Sequence, residues 1–186
     1  MKILKKLINK FSRNKNHLQY EGPFETWGEA KDKSIGYESD VVLKKVQQAV
    51  INVLDGSYKY ERDGTNFESL PPKNTLIDEL NKEFFKNQTI LDIGGGLGSL
   101  YINYKDIFSS AGVNYIVLEQ RNFCEVGKEI ANKYHLDINF IDNIDDLTYF
   151  DLVIISSTLQ YFEKWDEFVK KVISKNPKNI LIDRHP

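Results

Sequence analysis

Ten residues near the middle of the chain read Thr89-Ile90-Leu91-Asp92-Ile93-Gly94-Gly95-Gly96-Leu97-Gly98. The first half is an apolar run of the length typical of a buried strand. Glycines dominate the second half, and glycine tolerates positive φ and lets a ligand approach the main chain closely. A helical pattern starts directly afterwards. The stretch therefore predicts a strand, a tight loop and a helix, with a ligand site at the carboxyl end of the strand.

From this point onward the chain alternates between candidate strands and candidate helices. The predicted strands are Thr89–Ile93, Tyr115–Glu119, Ile138–Asp142, Leu152–Ser156 and Asn179–Asp183. The predicted helices are Ser99–Ala111, Asn122–His135 and Lys164–Lys175. Apolar strands separated by helices of this length indicate an α/β fold, with a doubly wound, Rossmann-like, mostly parallel sheet of five strands and helices on both faces.

The chain before this sheet divides into shorter pieces. A helix is predicted from Ser39 to a stop at Gly56, and a second helix from Thr75, while the stretch between them has little periodicity. We therefore predict three regions: an N-terminal helix over residues 1–16, a helical and loop extension over residues 17–74, and the Rossmann-like domain over residues 75–186.

The N-terminal segment is basic and amphipathic. Residues 1–15 contain six basic residues and no acidic one, and their apolar residues repeat at helical spacing. Such a helix can lie weakly on an anionic membrane surface. The alternative, which the pattern favours, is a terminal helix whose apolar stripe packs on its own domain.

Composition excludes several classes of protein. The chain has 186 residues, enough for one domain with a sizeable core, and 41% of them are apolar. A single cysteine, Cys124, excludes disulfide and zinc scaffolds, and no metal site is expected. The net charge of −2 does not suggest nucleic-acid binding, and no apolar run approaches the ~20 residues of a membrane span. A cytoplasmic protein is expected, with peripheral contact at the inner membrane if residues 1–15 bind lipid.

Glycine spacing separates the candidate cofactors. Dinucleotide sites favour G-x-G-x-x-G, whose third glycine would fall on Ser99. The array here is Asp92-x-Gly94-x-Gly96-x-Gly98, which resembles motif I of the class I S-adenosylmethionine-dependent methyltransferases. An acid at the end of the next strand, Glu119, is positioned to bind both ribose hydroxyls. The predicted cofactor contacts are Asp92, Gly94, Gly95, Gly96, Gly98, Glu119 and the adjacent Gln120.

The resemblance to class I methyltransferases adds residues from two further strand ends. It implies that Asp142 and Asn143 lie near the adenine of S-adenosylmethionine, and that Ser156 faces its methionine part or the substrate. Aspartate and serine are also common at strand ends because turns favour them, so a purely structural role stays open for each.

A closer resemblance covers most of the chain from about Gly22. It is carried by Gly22-Pro23-Phe24, Trp27, Ala30, Gly36-Tyr37, Tyr60-Glu61-Arg62-Asp63, Gly94-Gly95-Gly96-Leu97-Gly98, Ser156-Ser157-x-Leu159-Gln160-Tyr161 and Ile182-Asp183-Arg184. These residues are similar to a family of bacterial methyltransferases encoded among surface-polysaccharide and O-antigen biosynthesis genes. The resemblance implies a sugar, glycan or lipid-linked sugar precursor as the methyl acceptor.

The predicted sheet departs from the usual methyltransferase pattern at its end. Class I methyltransferases usually have seven strands, the last two forming an antiparallel hairpin, and this sequence stops at Pro186. We expect a C-terminally truncated domain without that hairpin. The fifth predicted strand, Asn179–Asp183, would then be an exposed edge that invites self-association.

The catalytic candidates lie beyond the last two strands. A hydroxyl acceptor would be helped by a general base, and Tyr161 and His185 are the best-placed side chains. Glu61-Arg62-Asp63 is either an acceptor clamp, with Arg62 binding a phosphate, or an exposed ion-pair turn. Cys124 is expected to be a buried, inert thiol.

Two other functions remain open from the sequence. One is a truncated or degenerate nucleotide-binding module without catalysis, which the expected loss of the hairpin supports. The other is an NAD-dependent sugar oxidoreductase, which would require the glycine spacing that this sequence lacks.

Overall fold

The computed structural model describes residues 22–33, 40–69 and 83–184. The chain divides into two compact units, Met1–Gly36 and Tyr37–Pro186. In the first unit, helix α1 (Trp27–Lys33) begins after Thr26, whose hydroxyl oxygen accepts a hydrogen bond from the Glu29 N–H at 3.2 Å. The helices predicted over residues 1–16 and from Thr75 begin outside the described residues.

In the second unit, helix α2 (Asp40–Leu54) leads into a small hairpin that the sequence analysis did not predict. Strand β1 (Tyr60–Arg62) pairs antiparallel with β2 (Thr65–Phe67). The connecting residues Asp63 and Gly64 have φ of 51° and 72°. Positive φ at both positions is the requirement of a type I′ turn, which Asp-Gly satisfies. The region expected to lack regular structure is therefore a hairpin.

The main sheet has five parallel strands, as predicted. They are β3 (Thr89–Ile93), β4 (Asn114–Leu118), β5 (Ile138–Ile141), β6 (Leu152–Ser156) and β7 (Asn179–Asp183). Their order across the sheet is β5-β4-β3-β6-β7. The order reverses at β3, because β4 lies on one side of it and β6 on the other. The carboxyl ends of β3, β4 and β6 therefore surround the switch point where ligands bind in doubly wound sheets.

Helices cover both faces of the sheet, which confirms the doubly wound fold. They are α3 (Ser99–Asn103), α4 (Lys105–Ala111), α5 (Arg121–Tyr134) and α6 (Trp165–Ser174). The single helix predicted over Ser99–Ala111 is interrupted at Tyr104, where φ is −113° and ψ is 16°. Short 3-10 turns follow β5 at Ile144–Asp146 and β6 at Leu159–Tyr161.

Alternation along β3 explains why both faces are buried. Ile90 joins a core cluster with residues of α4 and α5, whereas Leu91 and Ile93 join a cluster with Val172 of α6. Asp92 occupies the remaining position, on the same face as Ile90. A run of apolar residues with one acid at its end therefore places that acid under the helices, close to the glycine loop.

The opposite end of the sheet is held by a buried carboxylate. Asp151, just before β6, accepts hydrogen bonds from the Thr89 N–H at 2.9 Å and from Lys178 at 2.8 Å, and the Tyr149 hydroxyl also donates to it. Burial raises the pKa of Asp151, but these hydrogen bonds outweigh burial and hold the pKa below its usual value. Asp151 therefore connects the starts of strands β3, β6 and β7.

Strand β7 lies at one edge of the sheet and pairs with β6. Within the described residues no strand pairs with its other side. Ile182 of this strand is 44% exposed. In the parts of the chain that the structure describes, no helix has the length and apolar character needed to cross a membrane.

Candidate functional site

The glycine loop joins β3 to α3 at the switch point. Gly96 has a φ of 58°, and a Cβ added there would meet no atom of the described residues within 4 Å. At Gly95 the constraint is different, since a Cβ would lie 2.4 Å from Oδ2 of Asp92. The loop therefore packs tightly on the Asp92 carboxyl at one point and presents bare main chain to open space at the next.

Asp92 is a buried acid behind this loop. Its side chain is 3% exposed, and the Tyr115 hydroxyl donates a hydrogen bond to Oδ2 at 2.8 Å. Burial raises the pKa of Asp92 to about 7; the Tyr115 hydrogen bond opposes the rise, nearby Glu119 adds to it, and Arg184 lowers it. The group therefore titrates near neutrality, so its charge is sensitive to any ligand that brings a positive charge.

Glu119 follows β4 and turns its carboxylate toward the glycine loop. The carboxylate accepts a hydrogen bond from the Gln120 N–H at 2.7 Å, and the Gly96 N–H lies close enough to lower its pKa. Burial raises the pKa of Glu119 despite these two donors. The structure therefore brings together the loop and the strand-end acid that the sequence analysis predicted as one site.

Three other predicted residues lie along the β4 and β5 ends. Gln120 is exposed and precedes α5 with extended backbone. Asp142 is exposed after β5. Asn143 caps the following 3-10 turn, because its side-chain oxygen accepts a hydrogen bond from the Asp145 N–H at 3.0 Å. Asn143 therefore has a structural role in the turn after β5.

Beyond β3 on the other side, Ser156 and Thr158 border the loop. The hydroxyl oxygen of Ser156 accepts hydrogen bonds from Nε and Nη2 of Arg184, at 3.1 and 3.0 Å. The Thr158 hydroxyl lies 3.0 Å from the carbonyl oxygens of both Ile93 and Ser156. A Cβ at Gly94 would come within 2.4 Å of the Thr158 side chain. Thr158 therefore joins the ends of β3 and β6 and fits against the first loop glycine.

The β1–β2 hairpin contacts the start of α3, directly after the glycine loop. Glu61 is 3% exposed. Its carboxyl group accepts one hydrogen bond from the Gly64 N–H at 3.3 Å and another from the Ser99 hydroxyl. Burial raises its pKa to about 7. The interpretation of Glu61-Arg62-Asp63 as an exposed ion-pair turn is therefore wrong for Glu61. The guanidinium of Arg62 lies over the Tyr60 ring, 5.7 Å from its centroid.

The two catalytic candidates differ in what the structure describes. Tyr161 ends the 3-10 turn after β6; it is 56% exposed, and its N–H bonds the Thr158 carbonyl at 3.0 Å. His185 lies outside the described residues. Among residues 22–33, 40–69 and 83–184, no group of three or more histidine, cysteine or acidic side chains is placed to hold a metal ion.

Cys124 is buried as expected. Its thiol lies 3.1 Å from the carbonyl oxygen of Ile141 and 3.4 Å from that of Glu119. Burial raises the pKa of Cys124 to about 11, so the thiol stays protonated and unreactive at neutral pH.

Sequence reasoning missed Thr158, Arg184 and the burial of Glu61. The first two act through partners on other strands, which no local pattern reveals. The hairpin that buries Glu61 did have a signal, since Asp63-Gly64 is a strong two-residue hairpin turn. That dipeptide would have turned an irregular stretch into a predicted pair of strands.

A model of a known protein family matches most of the chain. The family model described as mitochondrial small ribosomal subunit Rsm22 matches residues 56–182. No curated protein matches the sequence significantly.

Solved structures with a similar fold include three methyltransferases. Mitomycin 7-O-methyltransferase MmcR has a TM-score of 0.48 and 17% identity, over 78% of this chain and 37% of that chain. A SAM-dependent methyltransferase from Aquifex aeolicus has a TM-score of 0.41 and 17% identity, over 53% and 56%. Precorrin-6y C5,15-methyltransferase from Geobacter metallireducens GS-15 has a TM-score of 0.41 and 17% identity, over 61% and 66%. The chain spans less than two thirds of each of these proteins.

Proposed function

The chain belongs to the family described as mitochondrial small ribosomal subunit Rsm22, and from the geometry of its glycine loop we propose that it is an S-adenosylmethionine-dependent methyltransferase. The observation that carries the proposal is the position of two acids at neighbouring strand ends. The Asp92 carboxyl lies against the loop at Gly95, and the Glu119 carboxylate lies near the N–H of the next residue, Gly96.

The residues fit this cofactor. A Cβ at Gly96 would fill space that residues 22–33, 40–69 and 83–184 leave open, so a ligand can lie against the loop. The Glu119 carboxylate suits the two ribose hydroxyls, because a carboxylate has several acceptor positions. Asp92, with a pKa of about 7, suits the positively charged α-ammonium of the amino-acid end. We assign the adenine side to Gln120, Asp142 and Asn143, on the rim that leads from β4 to β5.

The reaction is a displacement at carbon. When bound, S-adenosylmethionine supplies an electrophilic methyl group on a sulfonium sulfur. The protein contributes mainly by orienting the acceptor in line with that methyl, which can supply a large part of the rate enhancement. For a hydroxyl acceptor, Tyr161 or His185 takes the proton that the acceptor oxygen loses.

For the acceptor we propose a sugar or glycan precursor of a bacterial surface polysaccharide. The family resemblance of the sequence supports it, and the low net charge of −2 fits a small acceptor better than a polyanion. A lipid-linked precursor would place the protein at the cytoplasmic membrane surface. The basic residues 1–15, which lie outside the described residues, would provide that contact.

A second acceptor class follows from the family match. The matching family model is described as a mitochondrial small ribosomal subunit protein, which would make a component of the small ribosomal subunit the acceptor. Transfer of a labelled methyl group from S-adenosylmethionine separates the two classes. Label in lipid-linked sugars supports the first, and label in purified small ribosomal subunits supports the second.

The cofactor assignment is tested by isothermal titration with S-adenosylhomocysteine. We expect micromolar-range binding that weakens at least tenfold in Glu119→Ala. A matched control is Glu129→Ala, which removes an exposed acid within helix α5. Absence of binding to the unchanged protein, or equal binding by the Glu119 and Glu129 variants, would overturn the proposal.

The edge strand supports one proposal about partners. The side of β7 away from β6 has no paired strand in the described part of the chain, and we propose that two copies associate there. Analytical ultracentrifugation should show a dimer that Ile182→Lys converts to monomer, because Ile182 is 44% exposed on this strand. A monomer at all concentrations would contradict this proposal.

A further inference from the structure

The order of the strand ends fixes where the two halves of the cofactor would lie. Glu119 follows β4, the glycine loop follows β3, and Ser156 ends β6, in that order along the carboxyl rim of the sheet. If Glu119 binds the ribose, the rest of the ligand must continue over the glycine loop toward β6 and β7. The amino-acid end would therefore reach the region of Ser156 and Arg184.

Binding of the amino-acid end in this region requires a positively charged group of the protein. The amino-acid end of S-adenosylmethionine carries both an α-ammonium and an α-carboxylate. The two acids of the site, Asp92 and Glu119, would attract the ammonium and repel the carboxylate. A site with only these acids would therefore bind the amino-acid end poorly, unless a basic group compensates for their charge.

Among the described residues, Arg184 supplies a basic group at this position. It directly follows β7, and its Nε and Nη2 donate to the Ser156 hydroxyl oxygen at 3.1 and 3.0 Å. Of the acids that the structure describes, the one nearest to Arg184 is Asp183, whose Oδ2 forms an ion pair with Nε at 3.8 Å, beyond hydrogen-bond distance. The guanidinium lies close enough to Asp92 to lower the pKa of that acid. It also counteracts the rise that burial causes in the pKa of Tyr60. The charge of Arg184 therefore acts on both Asp92 and Tyr60.

The side chain is both held and accessible. Two N–H donors are engaged by Ser156, and a guanidinium has five in a planar fork. The side chain is 40% exposed, so a ligand can reach the remaining donors. The backbone of Arg184 is fixed as well: its φ is 51°, and its carbonyl accepts a hydrogen bond from the Ser157 hydroxyl at 3.2 Å. A guanidinium positioned in this way matches the two oxygens of a carboxylate.

We propose that Arg184, oriented by Ser156, binds the α-carboxylate of the amino-acid end of S-adenosylmethionine. The inference rests on the proposed function and adds a specific ligand group to it. Asp92 and Arg184 then form a matched pair for the two opposite charges of the ligand, one from the end of β3 and one from the end of β7.

The test compares three ligands that share the adenosine moiety. S-adenosylhomocysteine has both charged groups, its decarboxylated analogue keeps only the ammonium, and 5′-methylthioadenosine has neither. Isothermal titration of each ligand is carried out with the unchanged protein, Arg184→Met, Arg184→Lys and the control Lys170→Met. Lys170 forms an exposed ion pair with Asp166 on α6.

We expect Arg184→Met to weaken the binding of S-adenosylhomocysteine at least tenfold. Binding of the other two ligands should weaken less than twofold. Arg184→Lys should have an intermediate effect, because it keeps the charge but not the fork. Lys170→Met should change nothing. Continued binding of 5′-methylthioadenosine shows that the variants are folded.

Three results would overturn the inference. Equal weakening of all three ligands would indicate a structural role for Arg184. Unchanged binding of S-adenosylhomocysteine with a raised KM for the acceptor would assign Arg184 to the acceptor instead. If the unchanged protein binds none of the three ligands, the proposed function itself fails, and this inference fails with it.

Discussion

The hydroxyl of Tyr115 lies 2.8 Å from Oδ2 of Asp92, and both side chains are buried beneath the glycine loop. Burial, together with the contact to Asp92, raises the pKa of Tyr115 well above its usual value, so the phenol acts as a donor throughout the physiological range. This hydrogen bond is the main interaction that favours the ionised form of Asp92 against burial. Tyr115 therefore sets how much charge the site presents at neutral pH.

Cofactor affinity should consequently depend on pH. Because the pKa of Asp92 is about 7, the ionised fraction increases roughly eightfold between pH 6 and pH 7.5. We expect the affinity for S-adenosylhomocysteine to rise by a similar factor over that range. Tyr115→Phe should shift the rise to higher pH, and Asp92→Asn should abolish it. A pH-independent affinity in the unchanged protein, measured by titration calorimetry, would contradict this prediction.

The glycine loop allows a test of the open space at Gly96. Gly96→Ala should cost ~1–2 kcal/mol of stability through its positive φ, and it should weaken cofactor binding more than tenfold because the methyl group enters the ligand's space. Gly56→Ala is the matched control, since Gly56 has a φ of 78° and a Cβ there also meets no atom within 4 Å in the described part of the chain. Both variants should show similar losses in urea unfolding. Normal cofactor binding by Gly96→Ala would place the ligand elsewhere.

The buried Glu61 should make the protein less stable as pH rises. Burial raises its pKa from 4.5 to about 7, so the folded state holds the proton more tightly than the unfolded state. The stabilisation is complete below about pH 4.5 and is lost between there and pH 7. Glu61→Gln keeps a side chain of nearly the same shape that can still accept hydrogen bonds, but that side chain does not ionise. We expect it to match the unchanged protein at pH 4 and to be more stable by ~3 kcal/mol at pH 8.

Urea unfolding at the two pH values measures this difference. Glu129→Gln, an exposed substitution, serves as the control and should leave the pH dependence unchanged. If Glu61→Gln is equally or less stable than the unchanged protein at pH 8, then Glu61 is ionised and well compensated in the fold.

Asp151 should have the opposite pH dependence. Its hydrogen bonds hold its pKa below the usual value, so its contribution is present above about pH 4 and is lost as the pH falls through the folded-state pKa. Asp151→Asn should cost ~1–3 kcal/mol at pH 7, because Lys178 loses its partner and a buried network is broken. The loss should shrink below pH 4. Thermal melts at pH 3 and pH 7 measure it, with exposed Asp166→Asn as the comparison. An equal loss at both pH values would show that ionisation of Asp151 is unimportant.

The sheet was predictable because its strands are buried on both faces. A strand covered by helices on both sides has a continuous apolar run, and such runs are visible in Thr89–Ile93 and Leu152–Ser156, whose bounds are confirmed. The break in the helix at Tyr104 was not predicted, because no proline or glycine marks it in the sequence.

The acids of the site were predictable for a related reason. Asp92 and Glu119 each follow an apolar run, so their place at the strand ends could be read from the sequence. Arg184 and Thr158 could not be assigned in this way, because their partners depend on β7 and β3 lying on either side of β6. The pairing of strands distant in sequence is decided by packing of the whole sheet, and a local pattern does not contain it.

The only cysteine of the chain lies behind the predicted ribose site, with its thiol against the main-chain carbonyls of Glu119 and Ile141. A thiol reagent can modify it only when this corner of the domain opens. Ligand that ties Glu119 to the glycine loop would oppose such opening. The labelling rate of Cys124 is thus a built-in reporter of occupancy, readable by mass spectrometry without an attached probe or a known acceptor.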